Sequence, residues 1–193
     1  MSFFAFAKDP GLPASRRAFL GTTSGLLLSG TAIALLSGRD ALAKTAGKGT
    51  QSDVRILNTA LGAELEAIAA YQVGAESGLL QKTVLNLAVN FQAHHKAHAG
   101  VLAATIEKLG GKPVAAKPKY DFPTASLKTQ NDVLRFAATL EKGAVSAYLG
   151  AVPLFADREL SKAAASILGD EAMHWAVLRQ AVGEDPVPAA FVG

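Results

Sequence analysis

Leu57-Asn-Thr-Ala60-Leu-Gly-Ala-Glu64-Leu-Glu-Ala67-Ile-Ala-Ala70-Tyr71 and, 77 residues later, Leu134-Arg-Phe-Ala137-Ala-Thr-Leu-Glu141-Lys-Gly-Ala144-Val-Ser-Ala147-Tyr148 are one pattern written twice. Leucine, glutamate and tyrosine recur every seven residues, close to two helical turns, so the three lie along one stripe of a helix. A second match follows each stretch. His95-Lys-Ala-His98-Ala-Gly-Val101-Leu102 aligns at an offset of 76 with Glu171-Ala-Met-His174-Trp-Ala-Val177-Leu178. Ungapped agreement at the scarce Glu, Tyr and His positions marks two helical hairpins of the same plan, packed face to face.

Working outward, apolar residues at helical spacing define four helices, and no strand-like alternation of any length occurs. The first runs from about Ser52, its expected N-cap, to Glu76 before Gly78; the second from about Leu80 to Leu109, ended by Gly110-Gly111. The third runs from about Asn131 to Phe155, with Pro153 in its last turn, and the fourth from about Arg158 to Val182. Residues 112–123 hold three prolines and no helical pattern, an extended connection. A helix of about 25 residues is about 38 Å long. About twenty connecting residues reach past about 60 Å, so the chain can return along the whole bundle. The expected fold is all-α: an antiparallel four-helix bundle of two hairpins joined by a long crossover.

Of the 193 residues, the first 43 read as a leader. Arg16-Arg17 precedes an apolar run from Leu20 to Leu36, and Ala41-Leu42-Ala43 is a small-x-small cleavage signal. The arginine pair followed by Phe19-Leu20 resembles the signal of the twin-arginine pathway, which exports folded proteins to the periplasm. An ordinary secretory signal, or an uncleaved leader anchoring the protein in the membrane, stays open. Residues 44–51 read as a flexible linker, 52–182 as the bundle and 183–193 as a C-terminal tail. Cysteine is absent, which excludes disulfides and thiolate metal sites. The net charge of +3 includes +2 from the leader (Lys8, Arg16, Arg17 and Arg39 against Asp9 and Asp40), leaving +1 for the rest. Such a domain has no electrostatic footprint for nucleic acid.

Glu64 and Glu141 sit on seams that should be apolar: Leu57, Glu64, Tyr71 on the first helix and Leu134, Glu141, Tyr148 on the third. His98 falls on the expected seam Phe91, His98, Thr105, and His174 on Ile167, His174, Ala181, with His95 and Glu171 three residues earlier flanking the same faces. Buried carboxylates are costly unless paired or bound to a cation. Heights agree too, because the midpoints between each glutamate and its partner pair fall near residues 80 and 157, at the two hairpin turns. All four histidines of the chain, His94, His95, His98 and His174, lie in these motifs. Six groups, Glu64, His95, His98, Glu141, Glu171 and His174, are thus expected to meet as metal ligands. Imidazole and carboxylate without thiolate suit iron or manganese, with zinc a further option. Tyr71, Tyr148 and His94 are expected around them as hydrogen-bonding support. Asp170 aligns with His94 and is read as solvated or supporting, and Glu66 as surface.

These residues resemble the ferritin-like superfamily of di-iron and di-manganese carboxylate proteins, built on one Glu from each of two helices and Glu-x-x-His from each of the other two. The likeness covers about Ser52 to Val182 and extends to exported bacterial members with a twin-arginine leader. Glu64 and Glu141 match the single glutamates, and Glu171-Ala-Met-His174 matches Glu-x-x-His in full. His95 departs, standing where a metal-bridging glutamate is expected. That substitution leaves two metals held asymmetrically, one metal, or none as alternatives, and His94 with His98 as another ligand pair. The resemblance implies Fe(II) oxidation or reaction with oxygen or peroxide, with metal ions and a small oxidant as partners. A homo-oligomer, or a non-catalytic subunit docked on a membrane complex, is the competing expectation.

Overall fold

Leucine, isoleucine and alanine at three- and four-residue spacing give each helix one apolar face, and those faces set the architecture. The computed structural model of the chain describes residues 46–192. The leader, with Arg16, Arg17 and its cleavage signal, lies outside the described residues. Among those residues there are four α-helices, two single 3-10 turns and no strand: α1 (Ala46–Glu76), α2 (Lys82–Lys108), α3 (Gln130–Ala151) and α4 (Arg158–Ala181). No helix among the described residues is long and apolar enough to cross a membrane.

Contacts across the bundle fix the topology. Short turns at 77–81 and 152–157 make α1–α2 and α3–α4 antiparallel hairpins. Between hairpins, Tyr71 bonds Glu141 and Tyr148 bonds Glu64, a register that requires α1 and α3 to be antiparallel. Helix α3 therefore runs parallel to α2, and residues 109–129 must climb the full height of the bundle. The ends of that climb are pinned. Asn58 on α1 donates to the Lys112 carbonyl (3.1 Å) and accepts from the Val114 amide (2.8 Å) at one end, and the Gln81 amide donates to Gln130 Oε1 (2.9 Å) at the other. Gly110, at φ +77°, takes the left-handed conformation that ends α2. At Gly111 the chain crosses α1 so closely that a Cβ would lie 2.6 Å from Val54 Cγ1.

Several boundaries differ from expectation: α2 begins at Lys82 and not Leu80, and α3 ends at Ala151 and not Phe155, because Pro153 turns residues 152–154 into a 3-10 turn. Helix α1 begins at Ala46, so residues 46–51, expected as linker, are helical and Ser52 is interior rather than a cap. Docking explains the extra turns. Ser52 and Asp53 are buried, and the Asp53 carboxylate accepts from the Ala156 (2.8 Å) and Asp157 (3.1 Å) amides of the α3–α4 turn. Helix α3 starts one residue early because Thr129 and Asp132 form a capping box, each side chain accepting from the other's amide.

The core is two apolar clusters with a polar layer between them. One contains Leu57, Leu61, Leu102, Ile106, Tyr148 and Ile167, the other Tyr71, Phe91, Leu134 and Leu178. Fully burying a side chain such as Ile106 contributes about 1.5–3 kcal/mol, and this repeated over both clusters is what holds charged groups out of water between them.

Candidate metal centre

The polar layer is as buried as the clusters that enclose it. Glu171 is 0% exposed, His95 and Glu141 1%, His174 2% and Glu64 3%. On α2 the inward line is Gln92, His95, Ala99, Leu102 and Ile106, so the expected seam through His98 and Thr105 is rotated: His95 sits deepest and His98 flanks it. On α4 the inward line likewise runs Ala164, Ile167, Glu171, His174 and Leu178, and Ala181 is exposed. The phase is set by Phe91, which packs with Tyr71, Leu134 and Leu178 and stacks on His174 with centroids 4.0 Å apart.

All six expected ligands come together, in two overlapping groups. Glu64, His95, His98 and Glu171 form one; His95, Glu141, Glu171 and His174 form the other, each with one donor atom per residue lying within 4.8 Å of the rest. Glu171 and His95 belong to both. Glu171 turns Oε1 to His98 Nδ1 (3.1 Å) and Oε2 to His174 Nδ1 (3.4 Å). His95 spans the same gap, donating from Nδ1 to Glu64 Oε2 (2.9 Å) and from Nε2 to Glu141 Oε1 (3.3 Å). The residue in place of a bridging glutamate is thus itself in the bridging position.

Tyrosine support exists, but it is crossed. Tyr148 donates to Glu64 Oε1 at 2.6 Å, and Tyr71 donates to Glu141 Oε1, each in the opposite hairpin. Burial raises both phenols well above 10, and the adjacent glutamates raise them further, so both stay protonated donors. Asp170 has a larger role than its sequence position suggests. Its Oδ2 lies 3.3 Å from His98 Nε2, 3.4 Å from His174 Nε2 and 3.1 Å from His94 Nδ1. A carboxylate on Nε2 of both inward histidines fixes the tautomer that turns Nδ1 toward the centre. The sequence signal was Asp170 four residues before His174, one turn away on the same face. His94 is not a partner of His98 in the centre: it lies beyond His174, with its Nδ1 2.9 Å from His174 Nε2. Glu66 stays outside the centre, half-buried on the rim of a groove, where burial raises its carboxyl pKa.

Charge is balanced here by protons. Burial, the largest influence, pulls the His95 imidazole down, but its bonds to Glu141 and Glu64 overcome this and lift it to about 11. His98 and His174 resist burial in the same way, reaching about 9 through the carboxylates of Glu171 and Glu64 and of Glu141 and Glu171 respectively. Burial disfavours the Glu141 carboxylate, yet the imidazoles of His174 and His95 hold it well below the ordinary carboxylate range.

Whether a metal pair fits is decided by the atoms left over. Buried side-chain atoms without a hydrogen bond include His98 Nδ1, Glu171 Oε1, Glu171 Oε2, Glu141 Oε2 and His174 Nδ1, and the first two face one group while the last three face the other. Buried polar atoms are almost always hydrogen-bonded, whereas these five, from three helices, meet only as ion pairs, His98 Nδ1 with Glu171 Oε1 (3.1 Å) and His174 Nδ1 with Glu171 Oε2 (3.4 Å) and Glu141 Oε2 (3.6 Å), an arrangement that a cation in place of the protons would satisfy. Formal charge agrees as well. Glu64, Glu141, Glu171 and Asp170 supply four negative charges for two divalent ions once the histidines are neutral, so Asp170 replaces the charge lost at His95. On the opposite side a cavity of about 40 Å³ opens between α1 and α3, walled mainly by Ala60, Ala63, Ala67, Ala144 and Ala147, and reaches Glu64, His95 and Glu141.

Comparison with known proteins agrees with the fold. The family model for the ferritin-like domain matches residues 52–184. A conserved hypothetical protein of Mycobacterium tuberculosis superposes with a TM-score of 0.64 at 21% identity, covering 74% of this chain and 99% of its own. The structure of ferritin-like, diiron-carboxylate proteins from Bacillus anthracis strain Ames superposes with a TM-score of 0.60 at 20% identity, covering 69% and 97%. No curated protein matches.

Proposed function

This chain belongs to the ferritin-like domain family, and from that premise we propose that it is an exported metalloprotein whose core holds two iron or manganese ions and reacts with oxygen or peroxide, or oxidises Fe(II). The observation that carries the reading is the set of five buried ligand-type atoms converging from α2, α3 and α4 that make no hydrogen bond and meet only as ion pairs at 3.1–3.6 Å. Glu64, His95 and His98 would hold one ion, Glu141 and His174 the other, with Glu171 between them. When bound, such a pair would supply the electrons for reduction of the oxidant. The chain's own residues do the rest. Tyr71 and Tyr148 lock the two glutamates across the hairpins, the Asp170 carboxylate sits against Nε2 of His98 and His174 and favours the hydrogen there, and the two apolar clusters keep water from the layer. The groove is wide enough for a small uncharged oxidant, and apart from Thr59, Glu66 and the residues of the centre itself its walls are mainly alanine. Export rests on the leader sequence, Arg16-Arg17 before an apolar run, and suits a protein loaded with metal before it crosses the membrane.

Anaerobic loading with Fe(II) followed by mixing with oxygen or peroxide tests the reading. Rapid oxidation that Glu171→Ala abolishes is the expected result. Oxidation no faster than free Fe(II), in protein that has bound the metal, overturns the redox assignment.

One observation favours a second reading. His95 already bridges Glu64 and Glu141 as a cation would. On that reading the imidazolium substitutes for metal, and the bundle is a non-catalytic module of a periplasmic or membrane complex. Host-matured protein containing no metal would favour it.

A further inference from the structure

We infer that His94, Asp170 and His174 form an outer cation site on the α2–α4 face, a loading port that takes a hydrated divalent transition metal and delivers it to the inner pair. The inference builds on the two-metal reading and adds an outer site that shares His174 with it.

Three donor atoms make the port: His94 Nδ1, Asp170 Oδ2 and His174 Nε2. Their separations are 2.9 Å between the two nitrogens, 3.1 Å from His94 to Asp170 and 3.4 Å from His174 to Asp170. Ligands at about 2.1 Å from one metal lie about 3.0 Å apart at right angles and about 3.4 Å apart at the tetrahedral angle. The triangle therefore matches three ligands on one side of an ion, with the remaining positions open for water. Two imidazoles and a carboxylate select a transition metal over calcium or magnesium.

Exposure gives the port a direction. The His94 side chain is 40% exposed, Asp170 23% and His174 2%, so the three ligands step from solvent to core. His94 has no other evident task, since its second nitrogen reaches only Asn90, at 3.5 Å. The other approach suits a hydrated ion less well. Stripping water from a divalent cation is costly unless ligands replace it step by step, and the groove between α1 and α3, walled mainly by alanine, offers only Thr59 and Glu66 before Glu64, His95 and Glu141.

Sharing of His174 makes the port transient. A ring that binds inward through Nδ1 carries its hydrogen on Nε2, which faces His94 Nδ1 (2.9 Å) and Asp170 Oδ2 (3.4 Å), and is then closed to an outer ion. The outer site and the half of the centre served by His174 are thus filled in turn.

Stopped-flow mixing of the metal-free full chain with Co(II), read by the visible absorption of the bound ion, tests this. Wild type is expected to bind two ions. His94→Ala, which removes a neighbour of His174 Nε2 but keeps all six inner ligands in the chain, is expected to bind two at equilibrium but to load at least about tenfold more slowly. Loading of His94→Ala at the wild-type rate overturns the port and leaves the two-metal reading standing. A single Co(II) per wild-type chain that His94→Ala abolishes supports the outer site and refutes the inner pair. Failure of wild type to bind Co(II) overturns both.

Discussion

Filling the centre with two divalent ions at pH 7.5 should expel close to three protons per chain. In the metal-free protein His95 titrates near 11, and His98 and His174 near 9, so at that pH the first is fully protonated and the other two about 97%. A metal binds only the unprotonated nitrogen, so each ligating histidine must give up its proton. Ordinary histidines with pKa near 6.5 would be about 9% protonated each, and three of them would release only about 0.3 proton. The contrast is about tenfold. Calorimetric titration with Zn(II) in buffers of different ionisation enthalpy measures it directly. Release of about two protons would mean that His95 keeps its proton and stays an internal counter-ion. Release below one would refute the claim that imidazolium–carboxylate pairs fill the metal-free centre.

The same pairs set the pH dependence of the metal-free protein. The three histidines, raised in the fold, stabilise it fully below about pH 6.5, and that stability should fall as pH rises through about 9 and on to 11. The lowered Glu141 acts in the opposite sense, its contribution being lost as pH falls below the ordinary carboxylate range, so denaturant midpoints should peak in mildly acidic buffer. Gly111→Ala should cost about 1–3 kcal/mol, a few degrees or more in melting temperature, because its Cβ would meet Val54 at 2.6 Å; an unchanged thermal midpoint would contradict the close crossing. Asp170→Asn should weaken metal binding by about 10–100-fold while leaving the helical circular-dichroism signal intact. Tyr71→Phe should perturb the side of the centre held by Glu141, and Tyr148→Phe the side held by Glu64, which infrared spectra of the carboxylates can separate.

The bundle and its ligand inventory were legible in the sequence because they are periodic. Glu64 and Glu141 stand on otherwise apolar stripes, His174 follows Glu171 by one turn, and the long segment between Gly110 and Thr129 permits only a crossover. What stayed hidden depends on how one helix is rotated and which neighbour it meets. His95 and His98 stand about 60° apart round α2, and the line through Phe91 and His98 is not the inward one because packing of Phe91 and Ile106 turns His95 to the centre. Tyr71 and Tyr148 lie seven residues, about 10 Å, along the helix from their own glutamates, too far to bond them. The antiparallel pairing of α1 and α3 brings each level with the other hairpin's glutamate instead. Asp170 was undervalued because an aspartate beside a ligand motif looks solvent-facing until the facing helix places His94 and His98 against it. The start of α1 was missed because its extra turns are held by the α3–α4 turn, through Asp53, and not by a local cap.

The central claim is that the orphaned donors on either side of Glu171 mark two adjacent metal positions. Anomalous diffraction from a crystal of the chain grown with Mn(II) or Fe(II) tests it most directly. Two peaks about 3.5–4 Å apart, one beside Glu64 and His98 and the other beside Glu141 and His174, are the predicted result. A layer without a peak, with the His95 ring still bonded to both Glu64 and Glu141, would contradict it.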